Sequence, residues 1–249
     1  MFDIKNKVAI VTGANTGLGQ AICVAYAKAG AKVLGVARRS CEETKAKIDE
    51  FGGTFNECIA DLSSTKPINN IMGSALQLYC TVDILVNNAG IIKRADSVDV
   101  TEDDWDSVIN VNQKGVFFLS QAFARIIFEQ NKKGKIINIA SMLSYQGGIR
   151  VPAYCASKSA VMGFTRSLCN EWASKGINVN GIAPGYMETN NTEQIRNDSK
   201  RNDAILDRIP QGRWGRPEDI VGAAIFLASE ASDYINGFTI AVDGGWLAR

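Results

Sequence analysis

The sequence of 249 residues contains no histidine. This absence excludes the Ser-His-Asp and Cys-His arrangements of nucleophilic catalysis, and it excludes every metal site that needs an imidazole ligand. Any proton transfer must therefore use a Tyr, Lys, Asp, Glu or Cys side chain. We accordingly predict no metal site in this chain.

Cysteine pairs, net charge and long apolar runs are also scarce. The 6 cysteines form no C-x-x-C pair and most lie in apolar segments, which is typical of reduced core residues. The formal net charge is only +1, so no basic surface for nucleic acid is indicated. No apolar run reaches membrane-spanning length, and residues 1–7 do not resemble a targeting peptide. We expect a cytoplasmic protein that binds neither nucleic acid nor membrane.

Short apolar segments alternate along the chain with longer segments of helical periodicity. The predicted strands are Val8–Thr12, Lys32–Ala37, Thr54–Ile59, Ile84–Asn87, Lys135–Ile139, Asn178–Ala183 and Phe238–Val242. The predicted helices cover residues 17–29, 42–51, 66–79, 101–128, 153–173 and 217–228. This alternation predicts an α/β fold in which residues 1–249 form a single Rossmann-type domain. Its seven strands would form a doubly wound parallel sheet with helices on both faces.

The segment from residue 186 to residue 210 differs from the rest because it is polar and rich in asparagine. It follows the sixth predicted strand, and ligands of doubly wound sheets bind at the carboxyl ends of the strands. We therefore predict that residues 186–210 form a mobile insert that covers the substrate. The alternative is a plain pair of surface helices.

A glycine-rich loop follows the first predicted strand directly and opens a helix. It reads Thr12-Gly13-Ala14-Asn15-Thr16-Gly17-Leu18-Gly19. Gly13 permits a tight turn, Gly17 lets the backbone approach a pyrophosphate, and Gly19 allows close packing of helix on strand. The helix N-terminus offers free N–H groups to the phosphates. The strand–loop–helix context therefore predicts dinucleotide binding.

The end of the second predicted strand bears on which dinucleotide is bound. The strand ends in Val36-Ala37-Arg38-Arg39, without the carboxylate that binds the ribose 2′-hydroxyl of NAD. Arg38 can bind a 2′-phosphate, which favours NADP, although either arginine can instead stack on adenine or face water. Asp61 can accept from the adenine amino group. The small residues of Asn88-Ala89-Gly90 allow the backbone to pack against the cofactor.

Tyr154 and Lys158 are four residues apart and so share one face of a predicted helix. A close ammonium group favours the phenolate and lowers the pKa of a tyrosine, which would make Tyr154 a usable acid or base. Ser141 follows the fifth predicted strand, where its hydroxyl can hydrogen-bond the reacting oxygen. Asn112 lies within a predicted helix that asparagine does not favour, which suggests a backbone irregularity or a bound water.

These residues together resemble the short-chain dehydrogenase/reductase family over nearly the whole chain. The matching motifs are Thr12-Gly-x-x-x-Gly-x-Gly19, Asn87-Asn-Ala-Gly90, Val111-Asn112-x-x-Gly115, Ile139-Ala-Ser141, Tyr154-x-x-x-Lys158 and Pro184-Gly185. The resemblance implies hydride transfer with NAD or NADP and the catalytic residues Asn112, Ser141, Tyr154 and Lys158. It implies that the dinucleotide contacts are Gly13, Asn15, Thr16, Gly17, Leu18, Gly19, Arg38, Asp61, Leu62, Asn88, Ala89, Gly90, Tyr154, Lys158, Pro184, Gly185 and Thr189. A homotetramer built on residues 101–128, 153–173 and 238–245 is also implied.

Four stretches are similar to the family members that act on keto sugar acids, a group usually described with NAD. They cover residues 141–152, 183–191, 207–215 and 242–249. This likeness implies a substrate such as 2-dehydro-3-deoxy-D-gluconate or 2-deoxy-D-gluconate, reacting at Ser141 and Tyr154. We predict that Arg150, or else Arg94, binds its carboxylate. Lys93 and the terminal Arg249 are weaker candidates.

Three alternatives stay open at this point. Gluconate 5-dehydrogenase is a close rival within the family. A 3-oxoacyl reductase would need a long apolar channel, against which the polar residues 186–210 argue. A regulator that senses NADP without chemistry would have no need of Tyr154, Lys158, Ser141 and Asn112 together.

Overall fold

Seven strands form one parallel sheet in the computed structural model, which describes residues 1–249. In chain order the strands are β1 (Val8–Thr12), β2 (Lys32–Ala37), β3 (Thr54–Ile59), β4 (Ile84–Asn87), β5 (Gly134–Ile139), β6 (Ile177–Pro184) and β7 (Thr239–Val242). Their order across the sheet is β3-β2-β1-β4-β5-β6-β7, so the chain changes direction between β1 and β4. Ligands of doubly wound sheets bind at such a switch point.

Nine α-helices and several single turns connect the strands. The α-helices are α1 (Gly17–Lys28), α2 (Glu42–Asp49), α3 (Ile68–Tyr79), α4 (Glu102–Ile109), α5 (Val116–Glu129), α6 (Pro152–Trp172), α7 (Glu193–Arg196), α8 (Ser199–Leu206) and α9 (Val221–Ala228). The 3₁₀ turns are Ser97–Asp99, Met142–Ser144, Ala173–Lys175, Asn190–Thr192, Pro217–Ile220, Glu230–Ser232 and Trp246–Ala248. None of the helices combines the length and the apolar character needed to cross a membrane.

The predicted doubly wound sheet of seven parallel strands is confirmed, with strand ends within one residue of their predicted positions. The predicted single helix over residues 101–128 is wrong in one respect. A π-helical segment, Asn110–Gly115, separates α4 from α5 and adds one wider turn to an otherwise continuous helix. The 186–210 segment forms α7 and α8 with short connections.

The sheet is buried on both faces, and β1 shows why. All five of its residues are buried. Ala9 and Val11 belong to a core cluster of 24 residues, whereas Ile10 belongs to a cluster of 22 residues on the opposite face. Because side chains alternate across a strand, this division places one apolar layer on each side of the sheet. A continuous apolar strand sequence is the consequence.

The six cysteines are all free thiols. Cys23, Cys41 and Cys58 are buried, whereas Cys80 is exposed. No three Cys, Asp or Glu side chains are grouped in a way that could hold a metal ion.

Candidate active site

A cleft of about 550 Å³ opens at the carboxyl ends of the strands. The glycine-rich loop lies at one end of it, and Ser141, Tyr154 and Lys158 lie at the other. Most of the site residues predicted from sequence line this cleft. They are Gly13, Asn15, Thr16, Gly17, Leu18, Arg38, Asp61, Leu62, Asn88, Ala89, Gly90, Ser141, Tyr154, Lys158, Pro184, Gly185 and Thr189.

The glycine-rich loop has no room for side chains at two of its glycines. Gly13 has a φ of +69°, and an added Cβ would lie 2.7 Å from Nδ2 of Asn88. A Cβ on Gly19 would overlap the carbonyl oxygen of Gly13. The loop therefore brings its backbone close to the strand ends and to the first turn of α1. This is the arrangement that a pyrophosphate needs.

Thr12 fastens the loop to the neighbouring strand, a role that the sequence analysis missed. Its Oγ1 accepts hydrogen bonds from the backbone N–H groups of Asn88 and Ala89, both at 2.9 Å. Asn88 in turn donates from Nδ2 to the Thr12 carbonyl at 2.8 Å. The two strand ends at the switch point are thus held together by side chains. A threonine at the end of a predicted strand gives no signal of this role.

The adenosine end of the cleft is cationic. Arg38 and Arg39 both line it and both are exposed. Glu57 on the adjacent strand accepts from the Cys41 backbone N–H at 2.7 Å and from the Ser40 hydroxyl at 3.2 Å. Its carboxylate is therefore engaged by the start of α2. No carboxylate at the end of β2 competes with a 2′-phosphate for Arg38.

Tyr154 and Ser141 meet at the other end of the cleft. Ser141 follows β5, and Tyr154 lies in the first turn of α6, which begins at Pro152. Burial raises the pKa of Tyr154, and a hydrogen bond with Ser141 opposes that rise. The neighbouring Cys155 raises the pKa further, whereas the positive charge of Arg94 lowers it. Both side chains therefore lie at the same end of the cleft.

Lys158 is buried beside this pair. Its Nζ donates to the carbonyl oxygen of Ile139 at 2.6 Å and lies 5.7 Å from the centroid of the Tyr154 ring. Burial lowers the pKa of Lys158 from 10.5 to about 8. The contributions that lower the Tyr154 pKa come from Ser141 and Arg94, while the Lys158 ammonium group is hydrogen-bonded to a backbone carbonyl. The expected effect of Lys158 on the Tyr154 pKa stays a prediction.

Asn112 lies in the π-helical segment and does not line the cleft. Its side chain is fully buried, and Oδ1 accepts from the Ile91 backbone N–H at 2.8 Å. Its Nδ2 donates to the Ile91 carbonyl at 2.9 Å and to the Ser157 hydroxyl at 3.2 Å. The predicted backbone irregularity at Asn112 is therefore present. The side chain fixes the segment after β4, which forms one wall of the cleft.

The four candidate cations for the substrate differ in their surroundings. Arg150 is exposed, does not line the cleft, and pairs with Asp96 at 3.1 Å. Lys93 pairs with a carboxylate of α4, and Arg249 donates to a backbone carbonyl at 2.8 Å. Arg94 does not line the cleft either, but it is half-buried, has no carboxylate partner and donates to the carbonyl oxygen of Asn191 at 2.8 Å. Which of these cations binds the substrate carboxylate stays a prediction.

The 186–210 segment borders the cleft with its first residues. Met187, Thr189 and residues 190–192 all line it, although only Thr189 had been predicted. Thr189 lies against Gly17, because a Cβ added to that glycine would be 3.4 Å from the Thr189 methyl group. The segment thus faces the phosphate-binding loop across the cleft.

Comparison with known proteins agrees with this geometry. A model of the short-chain dehydrogenase branch described as enoyl-(acyl carrier protein) reductase matches residues 13–247. The 2-dehydro-3-deoxy-D-gluconate 5-dehydrogenase of Dickeya dadantii is 57% identical over 248 residues. That alignment covers 100% of this chain and 98% of the relative.

Two solved structures are similar over the full chain. One is a candidate 2-deoxy-D-gluconate 3-dehydrogenase from Agrobacterium tumefaciens with bound NADP, with a TM-score of 0.92, 55% identity and coverage of 100% of this chain and 99% of that one. The other is a candidate NAD(P)-dependent gluconate 5-dehydrogenase from Beutenbergia cavernae, with a TM-score of 0.95, 46% identity and the same coverage. The chain is therefore an oxidoreductase of the short-chain dehydrogenase/reductase family.

Proposed function

We propose that this protein interconverts the hydroxyl and keto forms of a sugar acid such as 2-dehydro-3-deoxy-D-gluconate, using a nicotinamide dinucleotide. The observation that carries the proposal is the convergence of Ser141, Tyr154 and Lys158 on the cleft that holds the glycine-rich loop. A regulator that only senses NADP would not need a hydroxyl pair and a buried ammonium group at the end of its dinucleotide cleft. The identity of 57% to the Dickeya dadantii enzyme supports the substrate class.

Each of the four candidate catalytic side chains has a separate role in the transfer of hydride and proton. When bound, the nicotinamide ring supplies or accepts the hydride. The Ser141 hydroxyl holds the substrate oxygen by a hydrogen bond, and Tyr154 gives its proton to that oxygen or takes it back. Lys158 is placed to bind the nicotinamide ribose and to add positive charge near the phenol. Asn112 keeps the wall after β4 in position, and we retain the proposal that a water near it resupplies the proton.

We infer that NADP is preferred to NAD. Arg38 is exposed at the end of β2 and has no carboxylate partner there. Glu57, the acidic side chain on the adjacent strand, is engaged by two donors. A guanidinium group binds the doubly charged 2′-phosphate, whereas the 2′-hydroxyl of NAD would find no acceptor at this place. The bound NADP in the Agrobacterium tumefaciens relative supports the same choice.

Gluconate 5-dehydrogenase is the second candidate, favoured by the similarity to the Beutenbergia cavernae protein. Both reactions act on an aldonic acid and need the same catalytic groups. A 3-oxoacyl reductase is less favoured, because the residues of the 186–210 segment that line the cleft are mostly polar: Met187, Thr189, Asn190, Asn191 and Thr192.

We also propose that the chain forms a homotetramer in the cytoplasm. Large apolar side chains are exposed on the elements expected to form the interfaces. Phe118 and Phe128 on α5 are 38% and 36% exposed, and Phe238 before β7 is 61% exposed. Burial of such side chains between subunits would be favourable.

The test of the proposed function is nicotinamide absorbance during turnover. 2-Dehydro-3-deoxy-D-gluconate, whose hydroxyl is oxidised, is supplied with NADP⁺ and with NAD⁺, and 5-keto-D-gluconate, whose carbonyl is reduced, is supplied with NADPH and with NADH. We expect faster turnover of the first substrate, and a higher kcat/KM with the dinucleotide that carries the 2′-phosphate. The Arg38→Ala variant should lose about 1–3 kcal/mol of this cofactor preference, since one charge-assisted contact is removed. Arg39→Ala serves as the matched control at the neighbouring position.

Turnover of 5-keto-D-gluconate alone would establish the second candidate function. Turnover of neither substrate by a protein that binds NADPH would refute the sugar-acid assignment. An unchanged preference in Arg38→Ala would refute the assignment of the 2′-phosphate to that residue.

A further inference from the structure

A small apolar cluster packs against the 186–210 segment and is separate from the two core layers of the sheet. Its six buried members are Met142, Ile195, Ile205, Ile209, Trp214 and Trp246. Three of them belong to the 186–210 segment, whereas Met142 directly follows Ser141 and Trp246 lies in the 3₁₀ turn after β7. The cluster therefore packs the segment against two other parts of the chain.

Trp246 contributes to this cluster through its ring rather than through a hydrogen bond. It is 4% exposed, and its ring centroid lies 4.9 Å from that of Tyr186 in an edge-on arrangement. The guanidinium carbon of Arg208 lies 4.1 Å from the Trp246 ring centroid. Both partners belong to the 186–210 segment. Because Nε1 of Trp246 is buried without a hydrogen-bond partner, aromatic packing and the cation–π contact account for its interactions.

The backbone beside Trp246 also lies close to the end of the segment. Gly244 and Gly245 have φ values of +66° and +90°. A Cβ added to Gly244 would lie 2.9 Å from Ile209, and one added to Gly245 would lie 3.0 Å from Pro210. The Gln211 backbone N–H donates to the Gly244 carbonyl oxygen at 3.1 Å. The two glycines therefore allow a close contact between the chain after β7 and residues 209–211.

Polar contacts fix the turn that carries Trp246. The Asp243 carboxylate accepts from the backbone N–H groups of Gly245 and Leu247, both at 2.9 Å. Arg249 donates from Nη1 to the carbonyl oxygen of Asp207, directly after α8, at 2.8 Å. The turn is thus held at its start by a carboxylate of its own and joined at its end to the 186–210 segment.

The cluster lies at the substrate end of the cleft. Leu143 packs against it, and the Leu143 backbone N–H donates to the Ser141 hydroxyl oxygen at 3.1 Å. Tyr186, which contacts Trp246, directly precedes Met187, and Met187 lines the cleft. Trp246 itself does not line the cleft. It can therefore act on a substrate only through the residues against which it packs.

We propose that Trp246 is a positioning residue that holds the 186–210 segment over the substrate end of the cleft. The inference rests on the proposed function, because it concerns the side of the cleft that receives the sugar acid. Without the ring, the segment would spend part of its time away from the cleft. Substrate affinity would then fall in proportion to the fraction of enzyme that has the segment in place. Dinucleotide binding should change little, because Thr189 is the single expected dinucleotide contact within the segment.

The first experiment measures the segment itself and needs no substrate. Hydrogen exchange of the α8 backbone N–H groups is followed by mass spectrometry in the enzyme saturated with NADPH. Trp246→Leu removes the ring and should accelerate this exchange by about tenfold or more. Trp246→Phe should stay within about threefold of the wild type, because it keeps an edge-on ring and loses no hydrogen bond.

Trp172→Leu is the matched control. Trp172 is 8% exposed and packs edge-on against Phe128, at the opposite end of α6 from Tyr154. Its substitution should lower the free energy of unfolding but leave the hydrogen exchange of α8 unchanged. Arg249→Ala is a second test that leaves the core intact. Loss of its hydrogen bond to the Asp207 carbonyl should accelerate α8 exchange by about threefold.

The second measurement separates substrate binding from chemistry. In Trp246→Leu we expect KM for 2-dehydro-3-deoxy-D-gluconate to rise by about tenfold while kcat changes by less than about threefold. In Trp246→Phe and Trp172→Leu, KM should stay close to the wild-type value. NADPH affinity close to that of the wild type would show that each variant is folded.

The outcomes distinguish this proposal from the proposed function. Equal α8 exchange in the wild type and Trp246→Leu would overturn the proposal, and so would an equal rise of KM in Trp246→Leu and Trp172→Leu. If Trp246→Leu does not fold, unchanged α8 exchange in Arg249→Ala would overturn it instead. Faster α8 exchange in Trp246→Leu but not in Trp172→Leu, in a protein that turns over no sugar acid, would support the role of Trp246 and refute the proposed reaction.

Discussion

The buried ammonium group of Lys158 predicts how the stability of the protein depends on pH. Burial lowers the pKa of Lys158 from 10.5 to about 8, whereas unfolding returns the group to water and to its ordinary value. Between these two values the unfolded chain binds more protons than the folded chain. The free energy of unfolding must therefore rise with pH across this window. Below it, the charged form costs the folded state roughly 3 kcal/mol.

The Lys158→Met variant isolates this contribution. Methionine fills a similar space but cannot titrate, so the variant should lack the increase of roughly 3 kcal/mol that the wild type gains between about pH 8 and pH 10.5. Urea unfolding at fixed protein concentration, without dinucleotide, gives the free energy at each pH. The quantity to compare is the slope of the free energy of unfolding against pH, because the lost hydrogen bond to Ile139 lowers stability equally at every pH.

Lys114→Met is the matched control, since Lys114 is exposed and belongs to none of the ion pairs. It should follow the wild-type pH profile. If Lys158→Met also follows that profile, the lowered pKa of Lys158 is wrong, and so is the conclusion that burial disfavours its charged form.

Three further substitutions test other parts of the site. Tyr154→Phe should lower kcat by about 10³ and leave the fluorescence-measured affinity for NADPH unchanged; near wild-type turnover would identify a different acid. Gly19→Ala should weaken NADPH binding at least about tenfold, because its Cβ overlaps a carbonyl oxygen of the loop. Gly73→Ala is the control and should leave NADPH binding unchanged, because a Cβ at Gly73 meets nothing within 4 Å. Equal NADPH affinities of the Gly19→Ala and Gly73→Ala variants would contradict the steric argument. Asn112→Ala should cost about 2–4 kcal/mol in urea unfolding, because it leaves a backbone N–H and C=O unpaired, and Asn110→Ala should cost clearly less.

The strands and the dinucleotide end of the site could be predicted from sequence because both depend on local patterns. A strand buried on both faces, such as β1, is a short apolar run, and the loop after it needs glycine at fixed positions. The meeting of Ser141, Tyr154 and Lys158 in one cleft could be predicted, because motifs that follow parallel strands must meet at one edge of the sheet. The irregularity at Asn112 could be predicted because asparagine disfavours a regular helix.

The substrate end could not be predicted in the same way. Arg150 adopts a φ of +64° and its side chain pairs with Asp96. Sequence distance from a strand end does not reveal such a pairing, so the choice between Arg150 and Arg94 stays a prediction.

The π-helical segment between α4 and α5 has a consequence for how this protein can vary. Such a segment amounts to one extra residue in a helix, and each residue of a regular helix turns the chain by about 100°. Deleting one residue from 110–115 would therefore give a straighter and intrinsically more favourable helix, but it would rotate α4 relative to α5. Asn112 would then face away from the Ile91 backbone that it now holds. The length of this stretch is thus constrained together with the identity of Asn112, and a natural deletion here would leave a foldable chain with a misplaced cleft wall.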